Sequence, residues 1–403
     1  MASEHARLWP LDPAVDFLNH GSFGATPRPV LDAQAAWREE LEREPVRFMV
    51  ERFEPELAAA REALAAFVGA DAADLAFVTN ATGACNAVLR SLELETGDEI
   101  LTTDHAYNAV KNAIAYVADR AGARLVVAEI PFPLASADEA VERIVAAVTK
   151  RTRLAVLDHV TSATAMVLPI GRIVAALADR GVDTLVDGAH APGMLDLDIT
   201  GIGAAYYAGN LHKWVCAPKG SGFLWVRPDR QERVHPLVIS HGANLPLDGR
   251  SRFRLEFDWQ GTADPSAWLA VPAALGFLAE LLPGGWAALR ERNRLLALEA
   301  RDLLCAATGQ PPPVPDTMIG SMASVPLAWE DEPGSVQGVN LYGDRVHGAL
   351  LAAGIQVMVT PWPQRPEGER WRRLVRASAA PYNDRSQMER LATTLAAVLE
   401  PVA

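Results

Sequence analysis

Hydrophobic and polar positions alternate in blocks along the middle of the chain, between Leu75 and about Val226. Short apolar, β-rich runs are followed by stretches in which apolar residues recur with helical spacing. The apolar runs are LAFVT, EILTT, ARLVVAEI, TRLAVLDHV and VDTLVDGAH, and the helical stretches between them are GACNAVLRSL, NAVKNAIAYVADRAG, SADEAVERIVAAVTK and GRIVAALADRG. Ser136 and Glu139 have the spacing of a capping box at the start of the third helix. The pattern predicts an α/β fold with a mainly parallel sheet covered by helices on both faces.

The carboxyl ends of parallel strands meet at one edge of the sheet, and ligands of such sheets bind there. The sequence therefore places the chemistry in the segments that follow the predicted strands, just after Thr79, Thr103, His159, Asp187 and Gly209.

The segments on either side of this core predict three regions. Two amphipathic helices precede the core, at residues 28–44 and 51–68, and a helical stretch at residues 265–307 follows it. Residues 321–403 mix strand and helix patterns. A chain of 403 residues is too long for one simple core. We expect an N-terminal segment (1–27), a large domain (28–265) and a small α+β C-terminal domain (266–403).

Net charge and cysteine use narrow the functional classes. The formal net charge of −13 argues against general nucleic-acid binding, which requires a basic surface. The cysteines Cys85, Cys216 and Cys305 are far apart and form no CxxC pair. This spacing excludes a disulfide framework and a zinc knuckle, and it favours a reducing, cytoplasmic location. The sequence also contains no P-loop and no H-E-x-x-H motif, so no metal site is expected.

The sequence gives no sign of a membrane or secretion signal. The first residues lack the basic start and apolar run of a signal peptide. The most apolar stretch, residues 267–286, is interrupted by Pro272, Glu280 and Pro283, so it predicts a buried helix rather than a membrane span.

Lys213 stands amid mostly apolar residues in YYAGNLHKWVCAPKGSGFLWV, between two strand-like runs. A buried lysine is costly unless its charge is paired or its amine forms a covalent bond. Desolvation lowers the pKa of such an amine, which suits it to forming a Schiff base. Pyridoxal 5'-phosphate (PLP) is the cofactor that most often uses a lysine in this way, and it also needs a carboxylate at its ring nitrogen. Asp187, 26 residues earlier at the end of an apolar strand, supplies that carboxylate, although helix capping would also explain an aspartate there.

Donors for the cofactor phosphate are also present. In VTNATGACN, Ala81 and Thr82 lie where a strand gives way to a helix, and free backbone N–H groups there attract an anion. The Thr82 hydroxyl and His212 are further candidate donors. GIGAAYYAG is not a dinucleotide-binding fingerprint, because Tyr206 occupies the place of the third glycine.

Taken in order, these motifs resemble the class V aminotransferase family of fold-type I PLP-dependent enzymes. The resemblance is closest to the isopenicillin N epimerase-like branch, and it runs from about Asp16 to Asn383. The segments that carry it are FLNHGSFGATP, TDHAYNAV, DHVTSATAMVLPI, DGAHAPG, YAGNLHKW and GSGFL. The resemblance implies that the large domain binds PLP.

The resemblance implies roles for residues around the cofactor ring. Lys213 would form the Schiff base and move the proton at the substrate Cα, with Lys219 a bystander. Asp187 would pair with the ring nitrogen. His190 and Ser162 would lie near the phenolic oxygen of the ring; a structural histidine is the other interpretation of His190. His105 would stack on the ring, and Tyr107 would compete for that role or act as an acid; either residue could instead pack in the core.

The resemblance also implies contacts to the phosphate and to the substrate. Thr82, Asn210 and His212 would bind the phosphate within one subunit, and Thr262, after Gly261, would reach the phosphate of the neighbouring subunit. That arrangement requires a homodimer. Arg376, in LVRASAAPYN, would bind the substrate carboxylate with its planar fork, helped by Asn19 of the N-terminal segment. Candidate further contacts are Arg47, Arg52 and Arg254 for the substrate, although each fits an exposed surface charge better, and Trp259 and Trp362 for its side chain.

The sequence leaves three reactions open. Cysteine desulfurases need a nucleophilic cysteine shortly before the arginine element, and residues 355–376 contain no cysteine. We favour β-elimination from a cysteine S-conjugate in specialised metabolism, which requires a carbanion at Cα. Epimerisation is the alternative and needs a second proton donor across from Lys213; transamination is less favoured. A regulatory PLP-binding protein is a further alternative, which the acidity and the short segment before the core disfavour.

Overall fold

The computed structural model describes residues 3–328, 344–362 and 372–400. Its strands are β1 (Asp16–Phe17), β2 (Leu75–Val78), β3 (Glu99–Thr103), β4 (Arg124–Ala128), β5 (Thr152–Asp158), β6 (Asp183–Gly188), β7 (Tyr206–Asn210), β8 (Gly222–Val226), β9 (Met322–Pro326), β10 (Ile355–Gln356), β11 (Met358–Trp362) and β12 (Arg372–Ser378).

The helices surround these strands. They are α1 (His20–Phe23), α2 (Arg28–Arg43), α3 (Pro45–Arg47), α4 (Phe53–Val68), α5 (Ala81–Arg90), α6 (Asn108–Ala121), α7 (Ala137–Ala146), α8 (Ile170–Ala178), α9 (Ile199–Ile202), α10 (Arg252–Asp258), α11 (Ser266–Leu269), α12 (Val271–Glu280), α13 (Gly285–Thr308), α14 (Arg345–Ala352) and α15 (Arg385–Leu399).

A seven-stranded sheet in the order β2-β8-β7-β6-β5-β3-β4 forms the centre of the molecule. Strands β7, β6, β5, β3 and β4 pair in parallel, and β8 runs antiparallel to both of its neighbours. The mainly parallel sheet predicted from the sequence is confirmed. The antiparallel β8 follows from its connection, because the eleven residues between β7 and β8 return the chain along the adjacent edge without a crossover helix.

Local sequence signals place the helix ends. The Ser136 side chain accepts a hydrogen bond from the Glu139 amide, as the predicted cap requires. The second predicted helix begins later than expected, since α4 starts at Phe53 after a wide, π-helical turn at residues 48–52. It ends at Gly69, whose left-handed backbone suits glycine.

A second sheet brings the C-terminal region to the site. It has the order β11-β12-β9 with antiparallel pairing, and Arg376 lies on its central strand. β1 pairs in parallel with β10, so the N-terminal segment is attached to the C-terminal region. The predicted boundaries of the three regions stay a prediction.

The core contains both apolar strands and apolar helix faces. Strands β2, β3, β6, β7 and β8 are almost fully buried, as near-continuous apolar runs require. No single helix in the described ranges is long and apolar enough to cross a membrane; one pair, Ser266–Glu280 and Gly285–Thr308, passes that test jointly but is bent by 74°.

Candidate active site

Lys213 lies in the turn between β7 and β8, at the edge of the sheet where β6 and β7 end. Its Nζ atom is 3.2 Å from Nε2 of His190, which follows β6. Burial, together with the positive charge of Arg376, lowers the pKa of Lys213 from 10.5 to about 7, although the charges of Asp187 and Asp158 oppose the shift. About half of the amine is therefore neutral near pH 7, which is the nucleophilic form.

His190 is fully buried between Lys213 and Trp214. Its Nδ1 atom is 3.5 Å from Nε1 of Trp214, which can only donate. Burial lowers the pKa of His190 well below its ordinary value, and the neighbouring Lys213 adds to the shift. The ring is therefore neutral at physiological pH.

Two carboxyl groups lie side by side at the ends of neighbouring strands. Asp158 ends β5 and is the register partner of Asp187 on β6. Burial raises the pKa of Asp187, opposed by a 3.0 Å hydrogen bond from the Ala189 amide and by the charge of Lys213. Burial also raises the pKa of Asp158 well above its ordinary value, and the charge of Asp187 adds to that shift. A cation at this position would stabilise the ionised pair.

Arg376 reaches the same site from β12 and is almost completely buried. Its Nη1 donates to the carbonyl of Ser162 at 2.6 Å. Its Nη2 donates to Oδ1 of Asn19 at 3.2 Å and to Oγ of Ser22 at 3.0 Å. Because this fork is held by three oxygens, its orientation is set before any substrate binds.

The N-terminal loop also holds the backbone of Lys213. Nε2 of His20 lies 2.8 Å from the Lys213 carbonyl, and Nδ1 lies 2.7 Å from the Tyr382 hydroxyl. Burial lowers the pKa of His20 to about 4, so the ring is neutral, donates to the carbonyl and accepts from the hydroxyl. Gly24 has φ +69°, and a Cβ atom there would lie 1.8 Å from the His212 carbonyl. Glycine is therefore required where the loop touches the Lys213 turn.

The predicted phosphate site is built differently from the expectation. The Ala81 amide donates to Oδ1 of Asn210 at 2.8 Å, so Ala81 is not a free donor, and Asn80 is the N-cap of α5. His212 donates from Nδ1 to the Ser221 carbonyl at 3.1 Å, and burial lowers its pKa to about 4. The neutral ring has no second N–H, so His212 donates to an anion only when it is protonated. Thr82 is partly exposed in the first turn of α5.

His105 and Tyr107 take different positions after β3. His105 is buried, with Nε2 at 2.8 Å from the Ile130 carbonyl and Nδ1 at 2.7 Å from Oγ1 of Thr164. Burial lowers its pKa to about 4, so its single proton is donated to the carbonyl. These contacts disfavour His105 as a second acid, because its proton is engaged by the carbonyl; both this role and the stacking role stay predictions. Tyr107 precedes α6 with an exposed side chain, which does not fit core packing.

Other predicted residues lie at the margin of the site or away from it. Ser162 contributes its carbonyl to Arg376. Thr262 is exposed and lines a cavity of about 410 Å³ together with Thr79 and Gly83, beside the start of α5. Two of the three arginines named as candidate substrate contacts are surface charges, in line with the favoured interpretation: Arg47 pairs with Glu44 and Glu51, and Arg52 pairs with Glu40 and Glu56. Arg254 is largely buried and pairs with Asp258.

The two tryptophans proposed for a substrate pocket contact other rings. Trp362 packs on His105 with ring centroids 4.4 Å apart. Trp259 packs edge-on against Phe53 at 6.2 Å and lines the cavity beside Thr262.

Four residues that contribute contacts to this site were not predicted from the sequence: His20, Ser22, Trp214 and Asp158. His20 and Ser22 lie in NHGSFG, the segment that supplied Asn19, and Trp214 follows Lys213. The sequence therefore pointed to the segments that contain these residues. It did not reveal their contacts, which join β12, the N-terminal loop and the segment after β6, far apart in the chain.

The three cysteine side chains are buried and are poorly suited to act as nucleophiles. Cys85, Cys216 and Cys305 are free thiols and buried. Burial raises the pKa of Cys216 to about 12 and raises that of Cys85 as well. A thiol with a raised pKa forms little thiolate at neutral pH, so these side chains are poor nucleophiles.

The described residues fit the cofactor that the sequence predicts. Three groups meet at one edge of the sheet: an amine that is about half neutral near pH 7, a buried carboxyl at the end of β6 and the N-terminus of a ten-residue helix. Burial raises the pKa values of Asp187 and Asp158 although the charges of Lys213 and Lys111 oppose the shifts, so a further positive partner would stabilise the ionised pair. A protonated pyridine would supply such a partner.

The family model for class-V aminotransferases matches residues 24–391 of the chain. The chain is 39% identical over 399 residues to isopenicillin N epimerase of Amycolatopsis lactamdurans, an alignment that covers 96% of this chain and 95% of the relative. It is 38% identical over 330 residues to putative L-cysteine desulfhydrase 1 of Oryza sativa subsp. japonica, covering 77% of this chain and 66% of the relative.

Solved structures share the fold. A mutant of C-DES with glycine covalently linked to its PLP cofactor superimposes with a TM-score of 0.77, over 97% of this chain and 98% of that chain, at 22% identity. This similarity supports the fold-type I architecture predicted from the sequence.

Proposed function

Because the chain belongs to the class V aminotransferase family and is a PLP-dependent enzyme of its lyase and epimerase group, we propose that it is a carbon–sulfur β-lyase. Its substrate would be a cysteine S-conjugate, and its products a thiol, pyruvate and ammonia, with one water consumed. The relatives named for L-cysteine desulfhydrase activity support this reaction class. We further propose that it acts in the cytoplasm, in specialised metabolism.

Lys213, Asp187 and Thr82 would hold the cofactor, at its aldehyde, ring nitrogen and phosphate. Bound there, PLP draws electrons from the substrate and stabilises negative charge at Cα. Arg376 would bind the substrate carboxylate, and Asn19 and Ser22 orient its fork. Ordering these donors in advance removes part of the entropic cost of binding.

The contact between Lys213 and His190 is the observation that favours β-elimination over epimerisation. β-Elimination requires one base at Cα, and the neutral amine of Lys213 beside His190 provides it. Epimerisation requires a second donor on the opposite side of Cα. His190 lies next to Lys213, and the proton of His105 is bound to the Ile130 carbonyl, so neither residue serves as that donor.

The cysteines argue against a persulfide mechanism. The chain has three cysteines, all of them buried, and burial holds the pKa of Cys216 at about 12. A desulfurase requires a mobile, nucleophilic thiol, so sulfur would leave on the substrate fragment rather than on the enzyme.

Epimerisation is the second candidate function. The epimerase from Amycolatopsis lactamdurans aligns over 96% of this chain, whereas the rice desulfhydrase aligns over 77%. Tyr107 is the sequence-predicted acid that the contacts of the site leave open, since its side chain is exposed after β3. An epimerase would therefore use Lys213 and Tyr107 on opposite faces of Cα.

A homodimer belongs to the proposal. Thr262 and its neighbours Gly261 and Ala263 are exposed beside the start of α5. In a dimer, Thr262 would donate to the phosphate in the neighbouring subunit. The support is the exposure of this loop and the position of its cavity next to Thr79 and Gly83.

The test incubates the holoenzyme with S-ethyl-L-cysteine and measures pyruvate, ethanethiol and the chirality of the remaining amino acid. A lyase releases pyruvate and thiol in equal amounts, and Lys213→Ala abolishes both. Inverted amino acid without pyruvate would contradict the lyase and favour the epimerase, in which case Tyr107→Phe should stop inversion. A keto acid that retains its sulfur would indicate transamination.

A further inference from the structure

Trp214 contacts His190 on the side of the ring that faces away from Lys213. Its Nε1–H donates to Nδ1 of His190 at 3.5 Å, while Nε2 of the same ring faces the Lys213 amine at 3.2 Å. The charged and titratable groups that face His190 are Lys213, Arg376, His212 and His20. Trp214 is not among the residues proposed to contact the substrate or the phosphate.

The hydrogen bond from Trp214 selects one tautomer of His190. An indole N–H donates and never accepts, so its partner Nδ1 must carry a lone pair. The single proton of a neutral imidazole then lies on Nε2, which points to Lys213. A serine or threonine at position 214 would not impose this choice, because a hydroxyl donates or accepts as required.

The packing around Trp214 keeps the indole in place. The side chain is 4% exposed, and its ring lies 4.9 Å from that of His20. His20 is itself fixed by the Lys213 carbonyl and the Tyr382 hydroxyl. The tautomer of His190 is therefore coupled to the backbone of the Lys213 turn.

We propose that Trp214 is a positioning residue that holds His190 in the tautomer with its proton on Nε2. This inference rests on the proposed function and on the place that the family resemblance implies for His190, near the phenolic oxygen of the cofactor. With the cofactor bound, an Nε2–H group would donate to that oxygen, whereas the other tautomer would present a lone pair to it. Trp214 would thereby make His190 the donor to the phenolic oxygen, although Trp214 itself makes no contact with that oxygen.

The first test reads the tautomer in the apoprotein, so it does not depend on which reaction the enzyme catalyses. The chain is labelled with ¹⁵N-histidine, and the His190 signal is identified among the nine histidines by its loss in His190→Gln. The spectra are recorded at about pH 8.5, where most of the Lys213 amine is neutral and can accept from Nε2–H. We expect a single Nε2–H tautomer in the unmodified protein and a mixture of both in Trp214→Phe. Trp286→Phe is the matched control, since its Nε1–H donates to the Leu275 carbonyl away from the site.

The second test uses the visible band of the holoenzyme as a function of pH. Loss of a donor to the phenolic oxygen destabilises the form with one proton fewer, so Trp214→Phe should raise the titration midpoint, by roughly half to one pH unit for one hydrogen bond. In the His190→Gln background, the same substitution should leave the midpoint unchanged. This double-mutant cycle separates an effect through His190 from a general structural effect.

Several results would overturn the inference. The first is a proton on Nδ1 of His190 in the unmodified protein. This measurement does not depend on the folding of any variant. The second is an unchanged tautomer and midpoint in Trp214→Phe. The third is an equal midpoint shift with and without His190. None of these results would touch the lyase proposal, which product analysis tests separately.

Discussion

The neutral amine of Lys213 is the property on which the chemistry depends, and pH is the perturbation that tests it. Burial lowers the pKa of this lysine from 10.5 to about 7. At pH 7 the neutral fraction rises from roughly 1 in 3,000 for an ordinary lysine to about one half. The amine becomes reactive as pH increases through the pKa, so its labelling rate should be half-maximal near pH 7 and level off above about pH 8.

Competitive reductive methylation of the apoprotein, with peptide mass spectrometry, measures this titration residue by residue. Labelling of Lys213 is compared with that of Lys150, which is exposed and serves as an internal reference. Lys219 is a second comparison in the same segment, since its pKa is lowered by burial to a smaller extent. We expect a midpoint for Lys213 near pH 7.

Charge substitutions should move this midpoint in opposite directions. Arg376→Gln removes a positive charge that disfavours the protonated amine, so the midpoint should rise. Asp187→Asn removes a negative charge that favours protonation, so the midpoint should fall. A midpoint above about pH 9 in the unmodified protein, or shifts with the same sign, would refute the account of desolvation and local charge.

Three further predictions concern packing, ion pairing and thiol reactivity. Gly188→Ala places a Cβ atom 2.3 Å from the Tyr207 ring and should cost about 1–3 kcal/mol in urea unfolding, whereas Gly171→Ala, with nothing within 4 Å, should be near neutral. Arg61→Met removes the 2.5 Å partner of Asp258 but leaves Arg254 at 3.3 Å, so it should cost about 2 kcal/mol, the loss of one hydrogen bond to a charged group, by the same measurement. The buried cysteines should resist iodoacetamide at pH 7.5 and all three should react after unfolding; rapid native alkylation would contradict the raised pKa values.

Hydrophobic pattern alone predicts the centre of this fold well. EILTT coincides with β3, and the strands β2, β5 and β6 end one or two residues before the ends of the apolar runs that predicted them. These strands are buried on both faces, so their sequences are continuously apolar and bounded by polar loops. The antiparallel direction of β8 and the pairing of β1 with β10 were not visible, because strand pairing depends on contacts between distant segments.

The site was predictable where chemistry restricts the residue type. A buried lysine and a carboxylate at a strand end are costly, so Lys213 and Asp187 stand out in the sequence. His20 and Trp214 did not stand out, because a histidine or tryptophan also fits ordinary packing. Only the folded chain shows that their ring nitrogens face the Lys213 carbonyl and His190.

Borohydride reduction of the PLP-loaded protein, followed by peptide mass spectrometry, tests the central claim most directly. The account predicts a yellow protein that loses its colour on reduction and carries one pyridoxyl phosphate adduct on Lys213. The same treatment of Lys213→Ala should leave no adduct at this turn. An adduct on Lys219 instead, or a protein that binds no PLP, would contradict the assignment of Lys213 and the site built around it.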